Sequence, residues 1–172
     1  MKITPLFAAT CMALTAFLTP AMAEHPDRQQ PINIESDRAT VDDRNKVHIF
    51  EGNAILTQGS LRLRGERLVV TEGADGFHTG VATAPAGGLA TFRQLREGTD
   101  NEYVEGEAVR IEYDTRTEQA KLFERAMVTS AGDIVTGDYI EYDALTENYA
   151  ATRLAPKDGT APSRVNVTIQ PR

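Results

Sequence analysis

The chain has 172 residues, enough for one domain with a hydrophobic core, and carries 25 acidic against 18 basic side chains. A net charge of −7 is the opposite of the basic surface that nucleic-acid binding requires, so we expect no nucleic-acid partner. The single cysteine, Cys11, excludes any disulfide within the chain and any cysteine-rich metal site.

The first 23 residues have the three parts of a secretory signal peptide. Lys2 gives the positive start, an apolar run covers about residues 3–18, and an Ala-x-Ala motif ends at Ala23. A retained membrane anchor is the alternative, but the run is shorter than the roughly 20 apolar residues of a spanning helix. A lipid anchor at Cys11 is disfavoured because a lipobox is missing. We expect cleavage after residue 23 and export of the remaining chain.

Cleavage at this position changes the composition of the remaining chain. Taking 23 residues from 172 leaves 149, and taking one basic residue from 18 leaves 17 against 25 acids, a net charge of −8. We predict that residues 24–152 form one β domain, that 153–163 form a loose linker, and that 164–172 form a C-terminal edge strand of the same domain.

Alternation of apolar and polar residues is the main pattern after a short, loose flank at 24–31. Residues 32–35 (INIE), 61–64 (LRLR) and 165–169 (VNVTI) show it most clearly. Such alternation places one apolar and one polar face on a strand. Nowhere after residue 24 does an apolar helical period persist over three turns, so the sequence predicts an all-β fold with almost no helix.

A repeat links several of the predicted strands. Ser36, Gly65, Gly106 and Gly137 are each followed by an acidic residue and then by alternation, at intervals of about 30 to 40 residues. Strand repeats of this length favour stacked units that bury their apolar faces only against neighbours. We therefore expect one continuous apolar channel along the stack.

The sequence offers little that could support catalysis. His25, His48 and His78 share no metal-ligand spacing, and there is no nucleophile elbow, phosphate-binding loop or dinucleotide-binding glycine pattern. The acidic residues are spread over predicted polar strand faces. We expect no enzyme activity, no cofactor and no metal, with a carbohydrate-active enzyme that uses surface acids as a remaining alternative.

Several stretches in order carry a family likeness. Residues 30–37 (QPINIESD), 50–59 (FEGNAILTQG), 90–92 (ATF), 104–106 (VEG) and 137–142 (GDYIEY) resemble the LptA, or OstA-like, family of periplasmic lipopolysaccharide-transport proteins. The similarity extends over nearly all of the chain after the signal peptide.

The resemblance implies a twisted, V-shaped antiparallel β-jellyroll, a stacked two-sheet solenoid with open edges that admit acyl chains. It implies a protein that binds lipopolysaccharide through its lipid A acyl chains and conducts it from the inner to the outer membrane. It also implies head-to-tail self-association by sheet-edge pairing and contact with an inner-membrane LptC-like protein and an outer-membrane LptD-like protein. The alternative is a periplasmic structural or adaptor β module that binds only protein partners.

Residues for both roles follow from the resemblance together with the alternating pattern. For the lipid-binding groove we predict Ile32, Ile34, Phe50, Leu61, Leu63, Leu68, Val70, Phe92, Val109, Ile111 and Tyr113. For the assembly edges we predict Ile32, Ile34, Val165, Val167 and Ile169. Each groove residue taken alone is better explained as part of an ordinary core, so the functional interpretation rests on the set.

Overall fold

Antiparallel strands provide nearly all regular structure in the part of the chain that the computed structural model describes, residues 26–74, 76, 78–154 and 164–171. The predicted signal peptide and residues 155–163 of the predicted linker lie outside the described residues. A short 3₁₀ helix, Pro26–Gln29, precedes the strands. The strands are Asn33–Glu35 (β1), Arg38–Asp42 (β2), Val47–Gln58 (β3), Leu61–Glu72 (β4), His78–Thr83 (β5), Ala90–Leu95 (β6), Tyr103–Ala108 (β7), Arg110–Asp114 (β8), Gln119–Ser130 (β9), Asp133–Asp143 (β10), Asn148–Thr152 (β11) and Asn166–Thr168 (β12). The all-β prediction with almost no helix is confirmed. No helix among these residues is long and apolar enough to cross a membrane.

The long strands β3, β4, β9 and β10 bend in the middle and contribute to two layers. Arg62–Arg64 of β4 pairs with β6, whereas Arg67–Glu72 of the same strand pairs with β5. The two halves of β9 likewise pair with β8 and with β7. Every strand pair is antiparallel, so the chain crosses both layers repeatedly and reverses its direction each time. Each such crossing is called a pass.

The layers are named here by their strands. Sheet 1 contains β2, β5, β8 and β11 with the first halves of β3 and β9 and the second halves of β4 and β10. Sheet 2 contains β1, β6, β7 and β12 with the other halves. The line where passes cross from one sheet to the other is called the seam, and the opposite side, where the hairpin turns lie, is called the margin.

Residues with left-handed backbone conformation produce the sharpest bends at the seam. Gly52 and Asn53 have φ of 81° and 47° in β3, and Glu124 and Arg125 have φ of 63° and 55° in β9. The register of β3 against β4 shifts at this point, as expected for a β-bulge. A bulge lets the strand turn through the seam without ending.

The sequence repeat corresponds to alternate passes of the chain. Ser36, Gly65, Gly106 and Gly137 lie at or close to the seam in the pass β1–β2, in β4, in the pass β7–β8 and in β10. One up-and-down pair of passes therefore equals one repeat of about 30 residues.

The predicted open-edged pair of sheets differs in detail from the observed connectivity. Hydrogen bonding runs from β4 through β5, β8, β9, β7 and β6 back to β4, which closes a barrel-like ring in the middle of the fold. The strands form one bent sheet because β4 and β9 continue through the seam instead of stopping there. Unpaired strand edges remain among the described residues at the two ends, at β1 and β2 and at β11 and β12.

The core lies between the two sheets and draws side chains from both. Phe92 of sheet 2 faces Tyr113 and Tyr142 of sheet 1, with ring centroids 5.8 Å and 6.1 Å apart. The other large buried side chains are Leu56, Leu61, Leu63, Leu68, Val70, Val104, Ile111, Leu122, Val128, Val135 and Ile140. Burial of this apolar surface is the main force that holds the sheets together.

Candidate functional site: an apolar interior between two sheets

Most of the predicted groove residues lie on the inner sheet faces. Those that are almost fully buried, none more than 5% exposed, are Leu61, Leu63, Leu68, Val70, Phe92, Ile111 and Tyr113. Alternation explains their placement, since opposed residues such as Leu63 and Phe92 share one face of the sheet. In this state the inner faces are filled by the protein's own side chains, so a lipid would have to part them.

Three further groove residues lie at the N-terminal end of the interior. Ile32, Ile34 and Phe50 are half-buried and pack against the core. Ile34 is opposite Leu56, and Phe50 is opposite Leu68. This end of the interior is therefore less covered than its middle.

Val109 occupies a different place from the other predicted groove residues. It lies between β7 and β8 at the seam, where its N–H donates to the carbonyl of Glu124 and its carbonyl accepts from Ala84 N–H, both at 2.9 Å. Inner-face residues are even-numbered in β7, such as Ala108, and odd-numbered in β8, such as Ile111. Val109 is the residue at which this parity changes, and it belongs to the seam, not to the inner face.

A row of aromatic rings leads from the interior to the C-terminal end. Beyond Phe92 and Tyr142, the ring of Tyr142 lies 6.2 Å from that of Tyr149 on the edge strand β11. Tyr149 is partly exposed. The sequence interpretation missed Tyr142 and Tyr149, although Tyr142 lies in the alternating stretch 137–142.

Polar groups form a belt just inside the margin. Tyr113 donates its hydroxyl to Gln94 at 3.4 Å, and Gln94 and Gln58 are both buried. Burial, followed by the nearby charge of Glu118, raises the pKa of Tyr113 well above its ordinary value. Burial, followed by the charge of Glu147, does the same for the pKa of Tyr142. Both phenols therefore remain neutral at physiological pH.

The segment Pro26–Gln30, named here the strap, covers part of the margin. The Asp27 carboxylate accepts from the Ser60 amide at 2.6 Å and from the Ser60 hydroxyl at 2.5 Å. Gln58 donates to the carbonyls of Arg28 and Gln30. The expectation of a loose flank at 24–31 is therefore wrong for the strap, because partly buried hydrogen bonds fix it.

The two sheets meet across the margin through two ion pairs. Arg28 of the strap lies 3.4 Å from Glu118, a fully buried residue in the β8–β9 turn of sheet 1. Arg96, which follows β6 of sheet 2, contacts Glu147 of the β10–β11 turn through two hydrogen bonds of 2.6 and 3.2 Å. The hydrogen bond to Glu147, opposed by burial, raises the pKa of Arg96.

Exposed apolar residues mark both ends of the fold. Val41 on β2 is 60% exposed, and Val167 on β12 is 56% exposed. Val165 and Ile169, which flank β12, are exposed as well. Ile32, just before β1, and Ile34, within β1, are half-buried. The predicted assembly-edge residues therefore lie at opposite ends of the stack, next to unpaired strand edges.

These features define a class: an all-β protein with one apolar interior between inner sheet faces and unpaired edge strands at both ends. Among the described residues no group of three or more His, Cys, Asp or Glu side chains could hold a metal ion. Residues 33–148 match the family model described as LptA/(LptD N-terminal domain) LPS transport protein. The chain belongs to this family.

Individual relatives agree with the family match. The chain is 33% identical over 131 residues to the lipopolysaccharide export system protein LptA of Escherichia coli K12, covering 76% of this chain and 69% of that protein. It is 28% identical over 166 residues to LptA of Haemophilus influenzae, covering 96% and 90%. It is 27% identical over 153 residues to LptH of Pseudomonas aeruginosa, covering 88% and 86%.

A solved structure has the same fold. The crystal structure of LptH, described as the LptA-homologous periplasmic component of the lipopolysaccharide transport device of Pseudomonas aeruginosa, superimposes with a TM-score of 0.75. The match covers 84% of this chain and 99% of that one at 27% identity.

Proposed function

We propose that this protein is a non-enzymatic periplasmic carrier that passes lipopolysaccharide from the inner to the outer membrane. The observation that carries the proposal is the continuous apolar interior, lined from both sheets and built in a chain of the LptA family. In this account the fold works as a V-shaped jellyroll whose sheets diverge toward the margin. Acyl chains lie between the inner faces, and the sugar and phosphate groups stay in solvent.

The energetics suit transport better than tight capture. Burial of an acyl chain contributes about 0.8 kcal/mol per CH₂, so half-burying a chain of about a dozen carbons contributes on the order of 5 kcal/mol. The cost of immobilising the lipid offsets part of this gain. Because apolar contacts are non-directional, a lipid moves between equivalent positions such as Leu63 and Ile111 with a low barrier.

The two ends provide the surfaces for assembly. Strand addition between β1 or β2 of one molecule and β11 or β12 of the next would extend the apolar interior from copy to copy. This contact is heterologous, so it propagates as a filament or ends on a different partner. An LptC-like protein of the inner membrane and an LptD-like protein of the outer membrane are the partners that fit these ends.

A photoreactive amino acid placed in the interior tests the cargo directly. We expect incorporation at Phe92 in living Gram-negative cells to give a lipopolysaccharide adduct after irradiation. Incorporation at Arg93, the outward neighbour on β6, is the matched control and should give none. An adduct at Arg93 without one at Phe92 would show that the lipid does not use the interior.

The filled interior favours one second candidate, a structural or adaptor module that binds only protein. Side chains such as Leu63 and Leu122 belong to one core cluster and are almost completely shielded from solvent in this state. This candidate predicts normal association with envelope partners and no lipid adduct at Phe92 or at other inner positions. The adduct therefore separates the two functions.

A further inference from the structure

The margin differs from the seam in what joins the sheets. At the seam, backbone hydrogen bonds such as Asp37 N–H to the Gly52 carbonyl tie the passes together. At the margin, the contacts observed between sheets among the described residues come from the strap and from side chains, including Arg28–Glu118 and Arg96–Glu147. The sheets can therefore separate at the margin without breaking a strand ladder.

The Arg28 latch, the pair Arg28 and Glu118, joins the strap to sheet 1. The strap is itself held on the sheet 2 side through Asp27 and Ser60, so the ion pair completes a link between the sheets. Arg28 also donates to the carbonyl of Arg116 in the same sheet 1 turn. Releasing this latch would separate the β3–β4 turn from the β8–β9 turn.

The Arg96 latch, the pair Arg96 and Glu147, spans the margin farther along the stack. Its fork-shaped contact with the carboxylate is geometrically specific. Glu102, on the same sheet as Arg96, also contacts the guanidinium at 2.5 Å. We therefore expect Arg96 to stay on the sheet 2 side when Glu147 is removed. The two latches thus lie on one side of the apolar interior and join different turns.

Polar latches suit a reversible opening. Charges that are desolvated in a closed contact regain their hydration when the contact opens, which offsets the lost attraction. An apolar contact at the same position would expose apolar surface to water on opening.

A recess of about 260 Å³ lies beside the first latch, lined by Arg28, Gln58, His78, Thr115 and the apolar Ile32. Ile32 packs against the core, so the recess adjoins the interior.

We propose that the Arg28 and Arg96 latches close a lateral gate, and that an acyl chain enters the interior sideways through the margin after both latches release. This inference rests on the proposed function, because it assigns the entry route for the same lipid. The gate accounts for a filled interior in a lipid carrier: the space forms only when the sheets part at the margin and the seam stays intact.

Thiol labelling of two buried positions tests the opening without any lipid. Val104 lies in β7 near the margin and is 1% exposed, whereas Ala54 lies next to the seam bulge and is 0% exposed. Each is replaced by cysteine in a Cys11→Ser background, and the rate of maleimide labelling is measured. Opening at the margin exposes Val104→Cys alone, while global unfolding exposes both.

Charge reversals at the second latch give the decisive comparison. We expect Glu147→Arg to raise the labelling rate of Val104→Cys about tenfold, because it replaces attraction by repulsion in a partly buried contact. The swap Arg96→Glu with Glu147→Arg should restore the slow rate. Arg67→Glu, which breaks an exposed pair with Glu51 on the outer face, is the control and should leave the rate unchanged. Arg28→Gln should raise the rate through the first latch.

Lipid loading separates failure of the gate from failure of the proposed function. Purified protein with a photoreactive residue at Phe92 is mixed with purified lipopolysaccharide, and adduct formation is followed over time. Faster loading in Glu147→Arg supports the gate. Unchanged labelling, or an equal rise at Val104→Cys and Ala54→Cys, overturns the gate even if the wild type loads lipid. A labelling response without any adduct overturns lipid entry and the carrier function with it.

Discussion

Gly106 of sheet 2 lies directly against Leu122 of sheet 1, so closely that a Cβ at Gly106 would be 2.8 Å from Leu122 Cδ2. The glycine therefore allows the two inner faces to approach closely at this point. It also explains the Val104-Glu105-Gly106 motif physically, since the strand needs an inner-face residue without a side chain.

Filling this contact should destabilise the protein. We expect Gly106→Ala to lower the free energy of unfolding by about 1 to 3 kcal/mol through overpacking. Leu122→Ala alone should cost about 2 to 5 kcal/mol through cavity formation. Because the second change makes room for the first, the double variant should be less destabilised than the sum. Urea unfolding of the four proteins measures the coupling, and strict additivity would contradict the contact.

Two glycines with similar backbone angles provide a matched comparison. Gly52 has φ of 81° and a Cβ there would lie 2.3 Å from Asp37 Oδ2, whereas Gly98 has φ of 71° with open space around it. Alanine at either position carries the left-handed strain of about 1 to 2 kcal/mol. Gly52→Ala should cost clearly more, because the Asp37 side chain at the seam must also move. Equal losses in thermal or urea unfolding would show that the seam contact contributes nothing.

The buried phenols predict a loss of stability at alkaline pH. The pKa of Tyr113 is raised in the folded state above its ordinary value of 10.0, so folding favours the neutral form. That contribution is fully present below pH 10 and is lost as the pH rises toward the folded-state pKa. Each such tyrosine adds a slope of about 1.4 kcal/mol per pH unit to the free energy of unfolding. Tyr113→Phe should remove its share of the slope, as measured by urea unfolding above pH 10, and an identical slope in the variant would refute this.

Exposed edge residues should affect assembly and leave the monomer intact. Val41→Lys at one end and Val167→Lys at the other place a charge on apolar surface that the monomer already exposes. We expect both to weaken self-association in analytical ultracentrifugation while unfolding stability stays within about 0.5 kcal/mol of wild type. Thr40→Lys, on β2 beside Val41, is the control for added charge. Undiminished association of both edge variants would exclude the end strands as the interface.

The sequence predicted the strands and the inner faces well, because an alternating pattern specifies directly which side of a sheet a residue occupies. Leu61, Leu63, Leu68 and Val70 were assigned in this way, and all are buried. Val109 differs because it lies at a kink, where the inner-face residues change from even-numbered to odd-numbered. That change depends on backbone geometry at the seam, which an alternating pattern does not specify.

The margin was not predictable from local patterns. Arg28 and Glu118 lie far apart in the chain, and Arg28 belongs to a segment whose composition is typical of a loose flank. Their contact depends on how the passes stack, which no short motif records. Similarly, the closed ring through β4 and β9 arises because those strands continue through their bends. The alternating pattern does not distinguish a strand that continues from one that ends, so the ring could not be predicted from it.

The distance between the two sheets with and without lipid tests the central claim most directly. Spin labels at Arg62 and Thr79 report from the exposed outer faces of sheet 2 and sheet 1, both near the margin. We predict that saturating lipopolysaccharide lengthens the distance measured by double electron–electron resonance, because acyl chains occupy the space between the inner faces. An unchanged distance in protein shown by native mass spectrometry to carry the lipid would contradict the account.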